Sequence, residues 1–157
     1  IESFWAPNTG SSWIWGIGPY VNLPAGNSGH FGSQQTGAGV TAVVLNRDGP
    51  WTYGLLGFQS WNIGGNPAFG TQNNFYGQPF VAYTNQAAWT FTLESQAQYN
   101  YDARRTSNPL YFGVSKLEVV GGQPISFSAG PTYYLSSIPG GPSGWGGRAQ
   151  VTFVFPK

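Results

Sequence analysis

Between Ala87 and Asp102 the sequence AAWTFTLESQAQYNYD alternates two kinds of side chain, and this alternation constrains the fold more than any other stretch. Odd positions carry Trp89, Phe91, Leu93, Ser95, Ala97, Tyr99 and Tyr101; even positions carry Thr90, Thr92, Glu94, Gln96, Gln98 and Asn100. A period of two sustained this long is a β-strand with one apolar and one polar face. The apolar face has large aromatics at both ends and smaller residues between. A soluble sheet concentrates its bulk in the middle, whereas a strand crossing a bilayer places Trp and Tyr at the two headgroup levels. From Trp89 to Tyr101, at ~3.3 Å per residue and a tilt of ~40°, the strand covers roughly 30 Å of membrane normal. The expectation is a transmembrane strand with its apolar face outward.

Composition points the same way. Of 157 residues only 7% are charged and 17% are aromatic, with 24 Gly. A soluble domain uses about a quarter charged residues to stay solvated, so this chain is suited to a surface that does not face water. The length supports a single domain over residues 1–157. A net charge of +1 and no basic cluster larger than Arg104–Arg105 leave no footprint for nucleic acid. The lack of Cys excludes a disulfide framework and thiolate metal sites. No run approaches the ~20 apolar residues of a membrane helix, and Gly and Pro recur too often for helices. The chain opens on ESFWAP with no initiator Met and no signal peptide. A trimmed product lacking N-terminal strands is expected.

Beyond the central stretch, strands are expected over 12–23, 36–46, 51–62, 71–84, 110–120, 124–135 and 148–155. Asp48-Gly49 carries a hairpin signature. Over 124–135, Ile125, Phe127, Ala129, Pro131, Tyr133 and Leu135 oppose Ser126, Ser128, Gly130, Thr132 and Tyr134. The two faces of 51–62 are hard to separate by pattern. Pro19, Pro79 and Pro131 fall inside strands, where each removes a ladder donor, so bulges are expected. Lys116 and Glu118 fall on the apolar parity of 110–120, so they snorkel or a bulge shifts the register.

The connections alternate short and long, as in bacterial outer-membrane barrels with short periplasmic turns and longer external loops. With the tight turns on the periplasmic side, Trp13, Trp15, Trp51, Tyr53, Tyr83, Trp89, Phe91, Phe127, Phe153 and Phe155 gather at one interface. The fold expected is all-β: an antiparallel up-and-down transmembrane β-barrel with at least eight strands. It closes on itself or forms part of a larger barrel of about 12 strands, which would leave room for a passage. The alternative, a β-sandwich or soluble lipocalin-type barrel, also alternates but would present an almost uncharged surface to water.

Several motifs resemble a known family. GAGVTAVVLNRDGPWTYG (37–54), YGQPFVAYT, AWTFTLESQAQYN, GGQPISF and the closing GGRAQVTFVFPK are similar to a proteobacterial family of outer-membrane proteins. Its members are described as putative transporters, with relatives named for a phenol-degradation pathway. The resemblance covers Ser11 to Lys157. It implies an outer-membrane β-barrel in a Gram-negative bacterium, in longer proteins with a signal peptide and several strands ahead of this segment. It carries over no catalytic or binding residue. Pro156 and Lys157 after the terminal Phe155 depart from the usual barrel ending.

Chemistry-bearing residues are sparse. His30, the single histidine, lies in a long loop near Ser28 and Ser33, but no acid or nucleophile motif accompanies it. The acids are too scattered for a metal site. Asp102 with Arg104 and Arg105 is expected to be a solvated loop pair. The expectation is therefore no enzyme and no cofactor. Glu94, Gln96, Gln98, Arg148 and Gln150 are the candidates for a polar interior, with Glu94 and Arg148 either hydrated or paired across it. Trp13, Trp15, Trp51, Trp89, Phe91, Phe153 and Phe155 are the candidates for an interfacial aromatic belt. The function expected is a passive channel for small solutes, aromatic ones among them, with membrane lipid as the partner. Two alternatives are a non-conducting structural or assembly barrel that binds partner chains and, on His30 alone, a membrane enzyme.

Overall fold

The computed structural model describes residues 2–7, 10–23, 35–65, 71 and 73–155. The described residues contain no helix. They form nine strands: β1 (Trp13–Asn22), β2 (Gln35–Asp48), β3 (Trp51–Gly65), β4 (Asn74–Thr84), β5 (Trp89–Ser95), β6 (Ala97–Asn100), β7 (Arg105–Val120), β8 (Gln123–Ser136) and β9 (Gly144–Phe153). All lie in one antiparallel sheet ordered β1-β2-β3-β4-β5-β7-β8-β9, with β6 between β4 and β7. With β5 and β6 taken together as one strand, each strand pairs with its successor, so connections fall alternately at two ends of the sheet.

β5 and β6 are one strand interrupted at Gln96, which is why nine strands stand where the alternation predicts eight. Phe80↔Glu94 and Gly77↔Ala97 share one register across the gap. Gln96 donates its backbone N–H to the Pro109 carbonyl at 2.9 Å, but Pro109 has no N–H to return. Pro131 acts likewise. The β7–β8 pairing resumes in the same register on either side of it, from Tyr111↔Thr132 to Val114↔Ala129. The bulges expected at Pro19, Pro79 and Pro131 are therefore absent. The register shifts lie at Thr36/Gly37 and Asn108/Pro109 instead.

The turns follow local chemistry. Gly49, at φ 54° and followed by Pro50, occupies the first central position of a two-residue hairpin, the II′ pattern; Gly121 and Gly122, both with positive φ, match I′. At the β4–β5 turn the Asn85 side-chain oxygen accepts from the Ala87 and Trp89 N–H groups, and Ala88 takes φ 59°. The long loop expected over 102–109 is a tight turn at Tyr101–Arg104, and Arg105 to Pro109 belong to β7. The last strand begins at Gly144 rather than Arg148, because the glycines that read as loop pair with β8. Beyond β1 the Glu2–Trp5 segment forms bridges Glu2↔Tyr20 and Trp5↔Ile17. The free edge of β1 thus meets this segment and not β9.

Burial is inverted relative to a soluble domain. Among the described residues Tyr111 is the one buried apolar side chain, whereas Gln35, Thr41, Asn46, Ser60 and Glu94 are buried and polar. Trp13, Trp15, Trp51, Leu55, Trp61, Trp89, Phe91, Leu93, Phe112, Phe127 and Tyr133 are exposed. β8 alternates cleanly, with Phe127, Ala129, Pro131, Tyr133 and Leu135 more exposed than their even-numbered neighbours. The same alternation sorts β3, where Trp51, Tyr53, Leu55, Trp61 and Ile63 share the exposed face. Asn46 is buried on that face in register between Trp13 and Tyr53, whose rings meet edge to face at 6.1 Å.

Candidate functional site

The alternation of β5 places Glu94 on the polar face, in register between Phe80 of β4 and Tyr111 of β7. Arg148 stands on β9 opposite Gly130 of β8. Strands β7 and β8 lie between them, so at about 4.8 Å per strand the two backbones are roughly 14 Å apart along the sheet. Even so, Arg148 Nη2 lies 2.8 Å from Glu94 Oε1. Contact over that span requires the polar face to be concave.

Glu94 is held by more than the arginine. Gln78 Nε2 donates to its Oε2 and Gln96 Nε2 to its Oε1, each at 2.9 Å. The carboxylate thus receives three donors, which offsets most of its desolvation. Tyr76 Oη donates to Gln78 Oε1 at 2.6 Å and extends the network along β4. On the other side the Arg148 guanidinium lies 3.8 Å over the Tyr111 ring, a cation–π contact on top of the ion pair. The Tyr111 ring itself covers Gly113, where a Cβ would stand 2.4 Å from Cε1. Two buried donors remain unpartnered here: Tyr111 Oη and Arg148 Nε.

A ring stack occupies the same face toward β1. Tyr20 and Phe58 lie 4.3 Å apart at 7°, and Phe58 and Tyr76 5.0 Å apart at 13°. Tyr20 pairs in register with Gly39 of β2, and β2 lies between Tyr20 and Phe58. A Cβ at Gly39 would fall 1.9 Å from the Gln59 carbonyl oxygen. A side chain there would force β2 and β3 apart. Thr41, fully buried beside this stack, has its hydroxyl 3.2 Å from the Gly57 carbonyl and 3.3 Å from Glu2 Oε2.

Of the polar-interior candidates, the structure brings Glu94, Gln96 and Arg148 together. Gln98 lies in register with Tyr76 one turn of alternation away. Gln150 stands apart on β9, its Nε2 donating to Thr152 Oγ1 at 3.1 Å. The belt candidates Trp13, Trp15, Trp51, Trp89, Phe91, Phe153 and Phe155 are all exposed, at the turn end of the sheet. Toward the loop end Tyr101, the far aromatic of the central stretch, is joined by an exposed set that the sequence reading did not collect: Trp61, Phe75, Tyr133 and Trp145. Lys116 and Glu118 keep the apolar parity without a bulge. They form an ion pair with each other, and the Lys116 ammonium sits 5.3 Å from the Trp89 ring.

Asp102 does not make the expected loop pair with Arg104 and Arg105. Its carboxylate accepts from Thr71 Oγ1 at 2.5 Å and from the Asn73 side chain and backbone at 2.9 and 3.2 Å. These hydrogen bonds, Thr71 first, hold its carboxyl below the ordinary range. The result is a clip between the β3–β4 connection and the β6–β7 turn. His30, Ser28 and Ser33 lie outside the described residues, as do Pro156 and Lys157. Among the described residues no group of His, Asp and Glu could hold a metal.

Sequence reasoning missed Tyr111 and Tyr76, and it placed Gln78 on a polar face without linking it to Glu94. The signal for Tyr111 was its parity with Gly113 and Ser115 against Phe112 and Val114, obscured by Lys116 and Glu118 on the apolar side. No protein-family model, curated protein or solved structure matches the chain, so the resemblance to outer-membrane transporters rests on the quoted motifs alone.

Proposed function

We propose that the chain forms the wall of an outer-membrane β-barrel that lets small polar solutes cross passively. One observation carries this reading: the sheet exposes its large apolar side chains and buries Thr41, Ser60, Gln35 and Glu94. In water such an arrangement leaves an extended apolar surface exposed, far beyond what a monomer normally tolerates; in a bilayer that surface is the solvated one. Spacing supports it. Trp51 and Trp61 on the apolar face of β3 are ten residues apart, about 33 Å along the strand and roughly 25 Å along the normal at ~40° tilt. That matches the height of the apolar band in transmembrane barrels. Lys116 beside Trp89 fits a cation snorkelling at the interface.

The competing reading is a non-conducting structural barrel, favoured by the Tyr20–Phe58–Tyr76 stack and the Glu94–Arg148 pair, which occupy the polar face. Planar-bilayer recording separates the two. A passage gives stepwise conductance from the purified full-length chain. Bilayers that take up folded protein and show no conductance support the structural barrel.

A further inference from the structure

Two hollows open on the concave face on either side of Arg148. One, of about 370 Å³, lies toward the loop end beside Gln96, Tyr134 and Ser143. The other, about 190 Å³, lies toward the turn end and is lined by Glu94 and by Thr92, Ser115, Ser126 and Ser128. The side chains common to both linings are Tyr111 and Arg148. The pair is therefore the partition between them.

The partition is incompletely bonded. Tyr111 is 4% exposed, and its hydroxyl and Arg148 Nε are buried without partners. Guanidinium offers five N–H donors, and the ion pair with Glu94 runs through Nη2. Glu94, by contrast, keeps the Gln78 and Gln96 carboxamides whether or not Arg148 stays. The surplus at the partition is one of donors, and the ligand that satisfies a donor surplus beside a guanidinium is an oxyanion able to take two parallel N–H bonds.

We propose that Tyr111 and Arg148 form a subsite for the carboxylate group of a small solute, and that Arg148 turns from Glu94 and the Tyr111 ring to receive it. The turn joins the two hollows and frees the Tyr111 hydroxyl to donate to the same carboxylate. Glu94 is the internal competitor. It holds Arg148 across the path until a solute carboxylate takes its place. This rests on the concave face being wet and accessible to solutes, as in the channel reading, and names the solute class that face selects.

The test uses ¹³C-labelled acetate and its neutral analogue acetamide with the full chain folded in detergent, read by ligand line broadening. Acetate is expected to bind saturably and acetamide at least tenfold more weakly. Glu94→Gln is expected to raise acetate affinity several-fold by removing the competitor. Arg148→Met should abolish binding, and Tyr111→Phe should weaken it by about tenfold, the loss of one hydrogen bond to a charged group. A purely structural role for the cluster predicts instead that Glu94→Gln and Arg148→Met both leave acetate binding unchanged or both lower it. Equal binding of acetate and acetamide overturns the subsite. Should Arg148→Met fail to fold, the opposite responses of Glu94→Gln and Tyr111→Phe decide. The assay does not depend on conduction. A chain that binds acetate but passes no current refutes the channel and keeps the subsite, while one that conducts without preferring acetate does the reverse.

Discussion

Arg148→Met should destabilise the folded chain more than Glu94→Gln, although both break the same ion pair. The asymmetry comes from burial: the Glu94 side chain is 9% exposed and that of Arg148 37%. Stranding a fully buried charge costs roughly 3–5 kcal/mol. Glu94 without Arg148 keeps two carboxamide donors, which places Arg148→Met near the lower end, at about 3 kcal/mol. Arg148 without Glu94 can turn toward solvent, and screening reduces what it loses. There the dominant loss is one hydrogen bond to a charged group, about 1.5–2 kcal/mol. Combining Glu94→Gln with Arg148→Met removes both charges, and the double variant should be more stable than Arg148→Met alone by about 1 kcal/mol or more, since no buried charge is left unpaired. Urea unfolding in detergent micelles, followed by the heat-modifiable gel mobility of folded barrels, measures all three. Strictly additive costs, or Glu94→Gln as the costlier single change, would refute the reasoning.

Three further outcomes follow from local geometry. Gly39→Ala puts a methyl where the Gln59 carbonyl lies 1.9 Å away, so it should cost on the order of 3 kcal/mol in the same unfolding assay. Ala88→Gly relieves a left-handed residue at φ 59° and should stabilise by about 0.5–1 kcal/mol; a loss of stability there would mean the turn adopts another conformation. The Asp102 clip stabilises because its folded carboxyl ionises below the ordinary range. Its contribution is complete above the unfolded-state pKa and fades as pH falls through the lowered folded value. Protection of the Asn73 amide, its exchange rate taken relative to the intrinsic rate at each pH, should therefore fall under acid in the native chain, and Asp102→Asn should remove that pH dependence.

Much of this architecture is legible in the residues, for a physical reason. Alternation is a local property, so Trp89, Phe91 and Leu93 against Thr92 and Glu94 fix both faces of β5, and Phe127 to Leu135 fix those of β8. What the pattern could not carry is whatever depends on neighbouring strands. Pro109 interrupts the central strand at Gln96 from across the ladder, and nothing near Gln96 in sequence announces it. Gly144 to Gly147 read as loop because glycine weakens a strand taken alone; opposite Pro131 to Tyr134 they hold a register. The meeting of Glu94 and Arg148 was foreseeable only as an alternative to two hydrated charges, because it depends on how tightly the sheet curls. Tyr111 was hidden because its role comes from the glycine beneath and the arginine above.

The account's central claim is that the apolar face meets lipid and the polar face meets water, and neighbouring positions on β5 test it most directly. The chain has no Cys, so Leu93→Cys and Thr92→Cys each give a unique thiol for a spin label. With the protein in lipid vesicles, collision rates with oxygen, which partitions into the bilayer, and with a water-soluble nickel chelate report the surroundings of each label. The account predicts that the label at 93 meets oxygen and excludes the chelate, and that the label at 92 shows the opposite. Chelate access at 93 equal to that at 92, or a chain that stays in the aqueous phase when vesicles are offered, would contradict it.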